Sequence, residues 1–227
     1  MGRNSKKKGL HIRIGLTLLL LMVMLTIPVD GKDADPTVEQ IISQGNNLYD
    51  MGRYEEALKS YLKYSKIYPE SGYLFYEIAN TYYALNDYDN ALAYVQRADA
   101  LLPQVEKVKI LLGNIFDNLN RPEDALEQYM AAIKINPESD SAYYNLGIFY
   151  YNNGRYKEAE KAFLTSLNYN EKNSSSYFSL GYSYLRLNES GMAKEALQMF
   201  LDMEKESKRS VEVRNVLKTI ISGEQKK

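Results

Sequence analysis

Cysteine and tryptophan are absent from this sequence, and histidine occurs once, at His11. The missing cysteine excludes disulfides, thiolate metal sites and cysteine nucleophiles together. His11 falls in a segment that reads as a targeting address, so the part expected to fold has no imidazole. That excludes ordinary zinc sites and every catalytic arrangement built on His or Cys. An excess of positive charge is missing too. The 227 residues carry a formal charge of -1, and outside residues 1–31 there are 23 basic against 28 acidic residues. A nucleic-acid binder leans the other way. There is no glycine-rich phosphate loop and no metal-ligand spacing, and no cofactor is implied.

What is present begins with an address. Arg3, Lys6, Lys7, Lys8 and Arg13 precede an uncharged run from Ile14 to Val29. As a helix this run reaches about 24 Å, short of the roughly 30 Å of a hydrocarbon core. Pro28 ends it, and Val29 and Gly31 are small enough for a signal peptidase. Residues 1–31 therefore read as a cleaved signal peptide or an uncleaved signal anchor, with everything after Gly31 carried across the membrane. If the leader is uncleaved, residues 14–29 are the expected membrane contact. No Cys follows the run, which excludes a bacterial lipoprotein. Residues 32–37 read as a polar linker.

The remainder repeats every 34 residues. Small residues recur at Gly45, Ala79, Gly113, Gly147 and Gly181, and a second series runs Ala57, Ala91, Ala125, Ala159. The second series continues at Ala196 if three residues are inserted near Glu189-Ser190-Gly191. Large residues accompany them at Tyr61, Val95, Tyr129, Phe163 and Phe200. Pro69, Pro103 and Pro137 close units, and Pro69-Glu70-Ser71 returns as Pro137-Glu138-Ser139. Apolar spacing within a unit is helical, as in Leu112, Ile115 and Phe116. Two short antiparallel helices per unit follow. A small residue lets their backbones approach while an aromatic fills the space beside it. One such hairpin cannot bury its apolar face alone, so the units must stack.

On these positions residues 38–207 resemble the tetratricopeptide repeat (TPR) family. The units fall at 38–71, 72–105, 106–139, 140–173 and 174–207. Glu171 stands where a closing Pro is usual, and Pro122 takes a second-helix Tyr place in the first turn, where its missing N–H is not needed. Val213, Val216, Leu217, Ile220 and Ile221 form an apolar stripe, which predicts a capping helix over 208–222 stopped at Gly223, with 223–227 a polar tail. The fold class is thus an all-α solenoid of five helix-turn-helix repeats plus a capping helix.

The resemblance implies that first helices line a concave groove where partners bind as peptides or helices. Read onto this chain, the groove residues are Asn46, Tyr49, Tyr73, Tyr76, Asn80, Tyr83, Lys107, Asn114, Asp117, Tyr144, Tyr151, Tyr182 and Arg186, beside Glu39, Ile42, Ile110, Phe178 and others. Two aromatic patches flank a polar middle. Such aromatics suit protein interfaces, but packing between units is an equal use for them. Tyr54, Tyr61, Tyr82, Tyr88, Tyr129, Tyr143, Tyr150, Tyr156, Tyr177 and Tyr184 are expected in the core. Asn46, Asn80 and Asn114, stepping by 34, suit a bound backbone or their own scaffold equally. Asn46, Asn80 and Lys107 come near the carboxylate clamp of heat-shock co-chaperones, yet Ile42 and Leu111 stand where that clamp needs polar groups.

The competing class is a glycan-acting enzyme or glycan-binding protein using the Glu55-Glu56 and Glu123-Asp124 pairs. These pairs begin second helices, where acids suit the helix dipole and face water. The expectation is a non-catalytic scaffold. It is exported to a bacterial periplasm or anchored in the inner membrane, and it binds a peptide or helix of an envelope protein.

Overall fold

The computed structural model describes residues 36–224; the leader, most of the linker and the last three residues lie outside them. The described part is helical: α1 (Val38–Asp50), α2 (Tyr54–Ser65), α3 (Gly72–Ala84), α4 (Tyr88–Leu101), α5 (Glu106–Asn118), α6 (Pro122–Ile135), α7 (Asp140–Asn152), α8 (Tyr156–Tyr169), α9 (Ser174–Arg186), α10 (Ser190–Met203) and α11 (Lys208–Glu224). Among the described residues no helix is long and apolar enough to cross a membrane.

Each hairpin closes on one contact. A Cβ added to Gly45 would lie 2.2 Å from the Tyr61 ring, at Gly113 2.6 Å from Tyr129, at Gly147 2.5 Å from Phe163, and at Gly181 2.6 Å from Leu197. Where the second helix offers the smaller Val95, the first carries Ala79, and both are fully buried. The fifth pair corrects the expected register. Ala193 and Leu197, not Ala196 and Phe200, continue the series at 34 residues, and both are fully buried. No insertion is needed. Ser190 and Gly191 are the first residues of α10, and the turn is the usual three residues, Leu187-Asn188-Glu189.

Local signals repeat at the same step. The middle residue of each three-residue turn takes positive φ: Gly52 (73°), Asn86 (60°), Asn120 (56°), Gly154 (73°) and Asn188 (60°). Gly and Asn tolerate that left-handed conformation best. The recurring Pro-Glu-Ser tripeptide has its reason in capping. Ser71, Ser139 and Asn173 accept the Leu74, Ala142 and Ser176 backbone N–H groups at the starts of α3, α7 and α9. Val105 leaves α5 without a side-chain cap. Pro122 occupies the first turn of α6.

Hairpins then stack through a chain of apolar clusters. The first runs from Ile41 to Ala162, and half-buried Tyr150, Tyr177 and Ile220 each pack against two neighbouring clusters. First helices of successive repeats touch, α1 to α3, α3 to α5, α5 to α7 and α7 to α9, whereas among the described residues no two second helices do. Within residues 38–224 the stack therefore bends with its first helices on the inner side. At the end, α11 lies against α10 and buries Val213 and Leu217. It continues through Gly223, which does not stop it. A single glycine weakens a helix by about 1 kcal/mol and does not forbid it.

The expected tyrosine core is smaller than the sequence predicts. Tyr61, Tyr129 and Tyr184 are buried, but Tyr54, Tyr82, Tyr88, Tyr143, Tyr150, Tyr156 and Tyr177 are half-buried. Several sit at hairpin margins against another ring: Tyr82 on Tyr94 and Tyr143 on Tyr169, with centroids 5.6 and 5.8 Å apart. A phenol at a margin buries its ring and keeps its hydroxyl near water.

Replacing a helical glycine by alanine ordinarily gains about 1 kcal/mol. Here Gly147→Ala is expected to cost about 1–3 kcal/mol, because the added methyl overpacks against Phe163. Combining it with Phe163→Val rebuilds the Ala79–Val95 pair, so the double variant should be less destabilised than the two single losses added together. Unfolding followed by circular dichroism checks this; strict additivity would mean that the contact does not set the crossing.

Candidate functional site

Two open clefts lie along the first-helix face. One, of about 620 Å³, is lined by residues of α1, α3 and α5, among them Ile42, Asn46, Tyr73, Glu77 and Lys107. The other, of about 230 Å³, is lined by Ile148, Tyr151, Asn152, Phe178, Ser179, Tyr182 and, from α11, Glu212.

In the first cleft Tyr73 is 46% exposed. The Lys107 ammonium stands 5.1 Å from the Tyr73 ring centroid and 4.5 Å from that of Tyr76. Cations are attracted to the negative faces of aromatic rings. Burial pushes the Tyr76 phenol up to about 12. Burial likewise lifts the Glu77 carboxyl above its ordinary value, opposed by the Lys107 charge and by a hydrogen bond from Asn46. Asn46 works in both directions, since its carbonyl accepts the Tyr61 hydroxyl at 2.5 Å.

Asn114 repeats that scaffold bond, accepting the Tyr129 hydroxyl at 2.7 Å. Asn80 faces Val95 instead of a tyrosine and hydrogen-bonds the Tyr49 hydroxyl of the preceding repeat. The asparagine ladder thus braces hairpins and their junctions. Tyr49 packs edge-on against Tyr54 and Tyr151 against Tyr156, and Tyr83 packs tilted against Tyr88, with centroids 4.9, 5.4 and 5.6 Å apart. In the third repeat both partners change together, to Asp117 and Pro122. Burial raises the Asp117 carboxyl, and Asn153 and Asn152 of the fourth repeat hydrogen-bond it. The Tyr83 hydroxyl accepts the Asn118 amide at 3.2 Å. The middle of the face is therefore engaged with itself.

Tyr144 packs on Phe163 at 5.9 Å. Arg186 lies outside both clefts, donating to the Tyr156 hydroxyl at 3.1 Å. Ile110, expected in the groove, is 8% exposed and packs with Ala132 and Ala142; it sits where α5 meets α6 and α7. Sequence reasoning missed Glu77, whose place is held by Ser43 one repeat earlier and Leu111 one repeat later, so no ladder marks it. It also missed Glu212, because the simplest expected role of α11 was to cover the end of the stack.

The acidic pairs of the enzyme reading do not meet. Glu56 is bound by Arg53 at 2.6 Å and Asp124 by Arg121 at 2.7 Å, each at the exposed start of its own second helix and in neither cleft.

A carboxyl whose folded value is raised favours the native state at low pH, and that advantage is lost as pH climbs through the raised value. Glu77→Gln removes this contribution. The variant is expected to lose less stability than the parent between about pH 4 and pH 7, read from unfolding midpoints; identical pH profiles would mean that Glu77 is not strained by its burial.

Tetratricopeptide repeat families match residues 42–106, 141–173 and 174–206, and a TPR repeat family matches 113–154. No curated protein matches the sequence. Among solved structures the fold is similar to TTC0263, a thermophilic TPR protein of Thermus thermophilus, at TM-score 0.71 and 20% identity over 81% of this chain and 98% of that one. The fold is also similar to PilF of Pseudomonas aeruginosa, at TM-score 0.69 and 19% identity, covering 82% of this chain and 85% of that one. YrrB, described as a TPR protein with an unusual peptide-binding site, has TM-score 0.55 and 20% identity over 78% and 91%. With family matches running from residue 42 to 206 and interrupted at 107–112, and with five stacked helical hairpins between the same limits, the chain belongs to the tetratricopeptide repeat family.

Proposed function

We propose that this protein is a non-catalytic scaffold, exported across a membrane, that captures an extended segment or helix of another envelope protein along its first-helix face and so helps assemble a complex. The inner face with two clefts carries this reading. Its first cleft offers an exposed phenol, a cation and a carboxyl side by side, a combination that gives contact area together with directional bonds. Peptide binding by the similarly folded YrrB supports the class of ligand. The basic leader and apolar run at residues 1–31 support export.

Two measurements test the two halves. A photo-crosslinking residue placed at Tyr73 is expected to yield adducts of discrete mass in intact cells, while the same residue at Glu123, on the exposed start of α6, yields none. Absence of adducts from position 73, or equal adducts from both, overturns the groove. Alkaline phosphatase fused after Lys227 is expected to be active in a bacterial host, and an inactive fusion overturns export.

A further inference from the structure

The second cleft differs from the first in what it lacks. In the first, the chain lays its own ammonium, Lys107, across Tyr73 and Tyr76. The second brings together the rings of Tyr151, Phe178 and Tyr182 with the Glu212 carboxylate. None of its lining residues is a cation; Arg209, from outside the lining, stands 5.2 Å from the Phe178 centroid, and among the described residues no cation stands over Tyr151 or Tyr182. Phe178 and Tyr182 stand 4.7 Å apart, tilted by 42°. The Tyr182 hydroxyl donates to Glu212 and ties the carboxylate to the aromatic wall. Among the described residues Glu212 forms no ion pair within 4.0 Å.

We infer that this pocket receives an arginine side chain of the bound partner, its guanidinium stacked on the Tyr182 ring and hydrogen-bonded to Glu212. The inference rests on the groove reading above and names the chemistry of the segment bound there. Charge complementarity selects the occupant: an aromatic wall presents negative faces, and a carboxylate at its rim adds a full negative charge. Shape selects arginine within that class. A planar guanidinium stacks on rings and presents paired donors to a carboxylate, whereas an ammonium is a more strongly hydrated point charge. The chain already uses such stacking nearby, with Arg186 5.2 Å from the Tyr156 centroid. A volume of about 230 Å³ holds one long side chain and excludes a folded element. Asn152 and Ser179 complete the lining and supply polar atoms for the remaining guanidinium donors.

The test uses the full-length chain in mild detergent with ring-labelled tyrosine, titrated with Nα-acetyl-arginine amide and with its citrulline counterpart, which has nearly the same shape and no charge. Saturable shifts of the Tyr151 and Tyr182 signals are expected with arginine, and affinity at least about tenfold weaker with citrulline. Glu212→Gln keeps an acceptor for the Tyr182 hydroxyl and removes the charge. It should lower arginine affinity at least about fivefold while the helical circular dichroism is unchanged. Equal responses to the two ligands, no saturable shift, or an unaffected Gln variant would each overturn the pocket. Crosslinking from Tyr73 reports on the other cleft, so the groove can stand when this pocket fails, and the reverse.

Discussion

The structure depends on a glycine, or one alanine, held beneath a larger side chain at each hairpin crossing. The distance between two helix axes is set by what stands between them, and here that is an aromatic ring, a leucine or a valine matched against no side chain or a single methyl. Gly113 and Tyr129 illustrate the consequence. The close approach brings Asn114, next to the glycine, within 2.7 Å of the Tyr129 hydroxyl, so the buried phenol is satisfied without water. Truncating such a ring would open a cavity in a core that is one hairpin thick, and losses of about 3–5 kcal/mol are usual for that change. A solenoid has no distant layer to compensate, because each repeat touches its neighbours and little else.

The inner face inherits its chemistry from that geometry. First helices approach one another and second helices do not, so side chains on the inner side crowd into contact across repeats. Crowding explains why the middle of the face is self-engaged, with Asp117 held by two asparagines and Tyr83 by Asn118. Room survives near the two ends, where Tyr73 projects and where α11 stands back from α9. Tyrosine suits this crowding: Tyr49, Tyr83 and Tyr151 each pack against a tyrosine of their own second helix and stay half-buried.

Much of this was legible in the sequence because identical constraints recur at a fixed step. Gly45, Gly113, Gly147 and Gly181 announce the crossings, and Pro-Glu-Ser announces a cap. A ladder also stood unread at Gly52, Asn86, Asn120, Gly154 and Asn188, the left-handed turn residues; it shows that the fifth turn has the ordinary length. Reading Ala196 and Phe200 as the fifth pair failed because both are apolar and both neighbour the true pair, Ala193 and Leu197, on the same helix. Features outside the repeat were least visible. Glu77 and Glu212 have no counterparts at the same register, and what they do depends on which helix faces them. The half-burial of the marginal tyrosines was equally hidden, since a repeating aromatic marks a place in the pattern and not its depth.

The starts of α1, α3, α5, α7, α9 and α11 are 34 residues apart throughout, at Val38, Gly72, Glu106, Asp140, Ser174 and Lys208. The last helix thus stands at the place of a leading helix, one further step along the same register. Growth or shrinkage of such an array therefore asks nothing of the rest: a block excised between Ser139 and Ser174 removes Gly147 and Phe163 together and leaves a serine to cap the helix that follows. The length of the inner face becomes a counted quantity, altered in whole steps by duplication or loss of one block.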